Sequence, residues 1–264
     1  MNVAALVEYD GTRYKGFQRQ GPGKGPTVQG ELEAAATRIA GEPVTLAAAG
    51  RTDSGVHATG QVIHFRTEAR RDAATWRRAL NALLPDDIAV RAACAVSDEF
   101  HARKSALARR YRYRLFCDPV RAPLRERYVW RVPRQLDVAA MRQAAETLLG
   151  EHDFGAFGSS PRDDRATGYR GHTVRRMIEA TCVESPHADD EIECLFAADA
   201  FLTGMVRRLV GTLVLVGEGR LSVAEFRAIL EAREKAHPGV PAPAQGLCLI
   251  GVDYPAGSVS WEAS

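Results

Sequence analysis

Between two strand-like stretches of this 264-residue chain lies the run Gly50-Arg51-Thr52-Asp53-Ser54-Gly55-Val56-His57, too polar and too rich in glycine to be core. An aspartate with the ordinary carboxyl pKa of about 3.9 is ionised at neutral pH, and it can act as nucleophile or base without tuning. The same residues could also form an Asx turn, with Arg51 and His57 solvated. A glycosidase would set a second carboxylate of raised pKa opposite Asp53, and the sequence identifies no such partner. It offers arginine instead: of 35 Lys and Arg residues only Lys15, Lys24, Lys104 and Lys235 are lysines. The planar fork of arginine suits bidentate phosphate contacts and stacking on bases.

Basic residues gather in two stretches. The first holds His101, Arg103, Lys104, Arg109, Arg110, Arg112 and Arg114 interleaved with Tyr111 and Tyr113; the second holds Arg162, Arg165, Arg170, Arg175 and Arg176. Two solvated faces would account for the charge alone. The interleaved tyrosines point to RNA or DNA, whose bases stack on aromatic rings while arginines hold the phosphates. Further on, Phe201, Met205, Val206, Leu209, Val210 and Leu213 recur at helical spacing around Arg207. An arginine in so apolar a segment calls for a carboxylate partner, and Asp53 could be that partner.

These groups need a folded frame, and the composition supplies one: 45% hydrophobic and 26% charged residues describe an ordinary soluble globular chain. No run approaches the roughly 18 apolar residues of a membrane span. The N-terminus has no basic segment before its apolar residues, so it reads as a strand rather than a secretory signal, and a cytoplasmic location is expected. Five cysteines, an odd number without a Cys-x-x-Cys pair, predict reduced thiols and neither a disulfide framework nor a zinc site.

Hydrophobic periodicity gives a doubled pattern. Strand-like residues 2 to 9, an amphipathic helix over 28 to 40 closed by Gly41, strands at Val44 to Ala49 and Gln61 to Arg66, a helix capped by Asp72, and a strand at Ile88 to Val96 read β-α-β-β-α-β. From Arg109 the order repeats: a strand through Phe116, a helix capped by Asp137, strands near Thr173 to Val183 and Glu191 to Ala198, helices near 201 to 217 and 222 to 235, and a last strand from Leu247 to Tyr254. The expectation is an α+β fold of two ferredoxin-like domains, 1–105 carrying the Asp53 loop and 106–264 with one added helix, their sheets joined around a central catalytic cleft.

Five blocks, read together, resemble the TruA family of tRNA pseudouridine synthases. They are Glu8 to Gln20, Gly50 to His57, His101-Ala102-Arg103 through Arg110-Tyr111-Arg112-Tyr113, Ala200 to Leu202 with Met205-Val206-Arg207 and Gly211, and Ala242 to Leu247. The resemblance implies that Asp53 is the catalytic aspartate and that Tyr111 packs on the target uracil. It implies that Arg207 pairs with the aspartate and Arg51 helps displace the base. It also implies a homodimer that needs no metal or cofactor and modifies uridines at positions 38 to 40 of the tRNA anticodon arm. Phe17 stands where the family usually has tryptophan, and the loop from Ser159 to Thr173 departs from the family pattern. The rival from another class is a non-catalytic pair of RRM-like RNA-binding modules, which share the element order, although the RRM signature is missing. A zinc-dependent base deaminase would need a His/Cys triad that the cysteine spacing denies.

Overall fold

The computed structural model describes residues 1–21, 23–159, 172–186, 188, 190–232 and 239–261. In chain order the elements are β1 (Asn2–Tyr9), α1 (Val28–Ala40), β2 (Leu46–Ala48), β3 (His57–Arg66), α2 (Ala73–Leu83), β4 (Ile88–Val96), β5 (Ala108–Cys117), β6 (Trp130–Val132), α3 (Val138–Glu146), β7 (Gly150–Asp153), β8 (Val174–Glu184), β9 (Glu191–Ala198), α4 (Met205–Gly217), α5 (Val223–Glu231) and β10 (Leu247–Asp253). Arg162, Arg165, Arg170 and the end of the helix expected over 222 to 235 lie outside the described residues. The chain forms two compact units, one of Met1–Arg109 with the residues from Cys248 onwards, the other of Arg110–Leu247.

In the first unit, β1 runs antiparallel between β3 and β4, β2 pairs with β3, and β10 lies parallel to β3 with Cys248 opposite His57. Helix α1 starts where the Thr27 side chain accepts from Gly30 N–H and ends at Gly41, whose φ of 75° is the left-handed stop open to glycine. Helix α2 is capped by Asp72 in the same manner. Both sheet faces are covered, which explains why β1 is buried almost throughout. On one face Phe65 of β3 meets Trp76 of α2 edge-on at 4.9 Å. On the other, Ala4, Val62 and Cys94 form a core with Ala49, Phe100 and Ala102, onto which Val252, Tyr254, Val259 and Trp261 of the C-terminal segment pack.

In the second unit β9 and β8 are antiparallel, β7 extends the sheet beyond β8, and β6 pairs in parallel with β5. Helix α4 begins at Met205, after the N-cap Gly204 whose φ of 70° admits the sharp entry, rather than at Phe201 as the apolar spacing suggests. Helix α5 opens with a reciprocal capping box between Ser222 and Glu225.

Four findings depart from the expectations. Cys182 and Cys194 are joined by a disulfide, because β8 and β9 hold them directly opposite each other with their Cα atoms 4.1 Å apart; only Cys94, Cys117 and Cys248 are thiols. The short strands β6 and β7 were not expected, and the expected boundary after residue 105 differs from the changeover inside β5. The last strand, placed in the C-terminal half on sequence grounds, belongs to the first unit, where β3 offers it a hydrogen-bonding edge.

Candidate active site

Asp53 is half-buried in the loop that joins β2 to β3, with Arg51 exposed two residues earlier. The loop is held from below by the chain between β1 and α1. Phe17 N–H donates to the Thr52 carbonyl at 3.0 Å, the Ser54 hydroxyl donates to the Tyr14 carbonyl at 3.0 Å, and Val56 N–H returns to the Asp53 carbonyl at 3.1 Å. Beneath them Thr52 Oγ1 and the Tyr9 hydroxyl share a buried hydrogen bond of 2.8 Å. Gln61 of β3 donates to the Gly50 carbonyl at 2.8 Å and reaches the Tyr9 hydroxyl at 3.5 Å. Such a network fixes a short polar loop that packing alone could not hold.

Close approach of backbones explains two of the glycines. A Cβ on Gly11 would run into the Val56 carbonyl, and one on Gly16, which has a φ of 95°, would lie 2.9 Å from the Thr52 carbonyl oxygen. Phe17 is buried, with its ring 6.1 Å from that of Tyr9. It supports the loop as apolar filling, a role that asks for no indole donor.

The loop exit is pinned through His57, whose Nδ1 accepts from Gly11 N–H at 3.1 Å and lies 3.1 Å from Asp10 Oδ1. The loop entry is pinned by Arg109, buried, whose Nε and Nη2 donate to the Ala49 carbonyl at 3.1 and 3.0 Å while Nη2 also donates to the Arg103 carbonyl at 2.6 Å. His64 accepts from Ala102 N–H at 3.2 Å and its ring lies 4.7 Å from that of His101. Burial and the neighbouring His101 push its pKa down to about 4, so it is neutral in the fold. His101 is shifted down too, chiefly by burial, and accepts from Arg103 N–H. All three histidines therefore have structural duties.

In the second unit Tyr111 is buried on β5 with the ring of Phe201 edge-on at 5.1 Å. Tyr113, two residues along the same strand, donates to the Pro243 carbonyl at 2.8 Å, and burial raises its hydroxyl pKa well above the ordinary value. Arg207 on α4 grips the same segment: its Nε donates to the Ala242 carbonyl at 2.7 Å, and its own carbonyl accepts from Ala242 N–H at 2.9 Å. The Ala242 to Leu247 block thus keeps Arg207 and Tyr113 in place. Arg51 and Asp53 stand together in the first unit, Tyr111 and Arg207 in the second.

The basic stretch along β5 has a different role from the one its sequence suggests. Side chains alternate across the strand, so Arg110, Arg112 and Arg114 share the face opposite the tyrosines. There Arg110 pairs with Glu179 at 2.9 Å, Arg114 with the buried Glu191 at 2.6 Å, and Arg112 lies 3.8 Å from Glu193. These charges hold the sheet together. Among the described residues, no group of three or more His, Cys, Asp or Glu side chains could hold a metal ion, and no helix is long and apolar enough to cross a membrane.

A family model described as tRNA pseudouridine synthase matches residues 5–103 and 144–255, stretches that include Arg51, Asp53 and Arg207. The chain belongs to the tRNA pseudouridine synthase family. Three relatives named tRNA pseudouridine synthase A bear this out along nearly the whole length. The synthase of Syntrophotalea carbinolica is 44% identical over 96% of this chain and 96% of its own. That of Methylobacterium nodulans is 45% identical over 97% and 96%, and that of Aeromonas hydrophila 45% identical over 97% and 91%. Membership of a synthase family leaves the pair of non-catalytic RRM-like modules without support. Sequence reasoning missed the loop supports of the synthase, Tyr9, Thr52, Gln61 and Arg109, since nothing in a linear pattern shows which polar groups meet under a loop.

Proposed function

We propose that the chain isomerises uridine to pseudouridine at positions 38 to 40 of the tRNA anticodon arm, with Asp53 as the catalytic residue. The reading rests on one observation: in a chain of this family, the ionisable Asp53 stands on a polar loop locked by Tyr9, Thr52, Gln61 and Arg109. The reaction breaks the C1′–N1 bond and forms C1′–C5; N1 gains a proton and C5 releases one. A uridine stacked in the anticodon stem must leave the helix first, at a cost of a few kcal/mol, which Arg51 helps to offset by displacing the base. Tyr111 packs on the extruded uracil, and Arg207 supplies the positive charge that balances the carboxylate. Attack on the sugar, attack on the base and removal of a sugar proton all use the same carboxylate.

The finer architecture belongs to the same proposal. Each half is taken as a ferredoxin-like domain, supported in the first unit by the strand order β4-β1-β3 with β2 on β3 and two helices. The enzyme is taken to act as a cytoplasmic homodimer without metal or cofactor. The test uses tRNA tritiated at uridine C5, incubated with the protein alone. Tritium release that vanishes in Asp53→Asn, while tRNA binding remains, supports the assignment. Release retained in that variant removes Asp53 from catalysis.

A further inference from the structure

The segment from Lys15 to Pro26 carries Lys15, Arg19 and Lys24, and its sequence has no acidic residue. All three side chains are exposed. Glu33 lies 3.4 Å from Arg19 and takes part of that charge, leaving the segment strongly positive. Its ends are fastened together: Lys15 N–H donates to the Pro26 carbonyl at 2.9 Å, and Gln20 Nε2 donates to the Lys15 carbonyl at 2.8 Å. Arg19 N–H is tied to Gln29 Oε1 of α1 at 3.0 Å. A loop closed in this way carries its cations on a fixed base.

The position of that base matters most. Gly16 and Phe17, inside the segment, lie directly on Thr52 to Ser54: a Cβ on Gly16 would come within 3.4 Å of the Asp53 carbonyl carbon, and Phe17 N–H bonds to the Thr52 carbonyl. Arg13, the next cation along, has another duty, since its guanidinium bonds to Asp87 at 2.7 Å. Lys15, Arg19 and Lys24 are thus exposed cations on a segment packed against the Asp53 loop, which itself carries the exposed Arg51.

We infer that Lys15, Arg19 and Lys24 form a phosphate-binding rim that holds the RNA backbone beside the uridine delivered to Asp53. The inference rests on the reading of Asp53 as the catalytic residue. An RNA strand carries one negative charge per nucleotide, and a nucleotide turned out of its stack exposes the phosphates on either side of it. Cations fixed to the catalytic loop would register those phosphates against the carboxylate, contributing position and affinity without reading sequence.

The test is the salt dependence of tRNA binding, measured by filter retention from about 50 to 300 mM KCl for the full chain and for Lys15→Gln/Arg19→Gln/Lys24→Gln. Each lost phosphate contact makes the slope of log affinity against log salt less negative by about 0.7 to 0.9, so the triple variant should be shallower by about 2. Its affinity near 100 mM should fall about tenfold or more. Lys15→Arg/Lys24→Arg should keep the original slope. Arg70→Gln/Arg71→Gln/Arg78→Gln, which removes three exposed or helix-borne charges around the start of α2, should change the slope far less. An unchanged slope in the first variant, or an equal loss in the α2 variant, overturns the rim. Tritium release by the unsubstituted chain is read separately: release with an unchanged slope defeats the rim alone, and a shallower slope without release defeats the catalytic reading alone.

Discussion

Tyr9 donates nothing to the reaction directly, yet its hydroxyl meets Thr52 one residue before Asp53. Tyr9→Phe removes that bond and leaves the ring; kcat should fall about tenfold, since small displacements of a reacting group carry large rate penalties, while tRNA affinity stays within twofold. A matched pair of turnover and binding assays checks it. Gly11→Ala should do worse, because the new methyl group meets the Val56 carbonyl and must push the loop away. His64 makes a different prediction. Its pKa of about 4 in the fold lies below the ordinary 6.5, so between those values the unfolded chain binds a proton that the folded chain refuses. Its contribution makes stability decline as pH drops from about 6.5 to about 4 and then level off. Urea unfolding across that range, compared with His64→Gln, should show a weaker pH dependence in the variant.

Among the elements, α5 depends visibly on its cap: Ser222 Oγ accepts from Glu225 N–H, and Glu225 returns the bond to Ser222 N–H at 2.8 Å. Ser222→Ala should destabilise the second unit by about 1 kcal/mol, read as a lower melting temperature. The β8–β9 pair makes a chemical prediction: denatured without reductant, the protein should alkylate at three cysteines, and at all five after reduction. That pairing was invisible in sequence because it depends on the register between two strands. The same cause hid the partners of Arg110, Arg112 and Arg114, which reside on β8 and β9. What periodicity could reach, it reached well: α1 spans the expected 28 to 40, and Asp72 and Asp137 cap helices as expected. The Asp53 loop was legible as a polar, glycine-rich interruption between strands. Its supports were not, since Tyr9 and Gln61 look from sequence like ordinary strand residues and Arg109 like one more cation of a basic stretch.

For the molecule as a whole, both ends of the chain serve the first unit. β10 joins β3 alongside His57, and the residues after it cover one sheet face with Tyr254, Val259 and Trp261. Tyr254 also donates to the Ala102 carbonyl at 2.6 Å. A chain ended after Gly246 should therefore lose the first unit rather than merely shed a tail. Its tritium release should be absent, and proteolysis should attack residues before Arg109 ahead of those from Arg110 to Gly246.

This return of the C-terminus also sets a schedule for synthesis. All of Arg110–Leu247 must leave the ribosome before β3 receives its parallel neighbour, a delay on the order of ten seconds at roughly 5–20 residues per second. The strand that leads out of the Asp53 loop thus acquires its parallel backbone partner only after the whole of Arg110–Leu247 has been made. A nascent chain carries the carboxylate early, but the frame that aims it waits for β10.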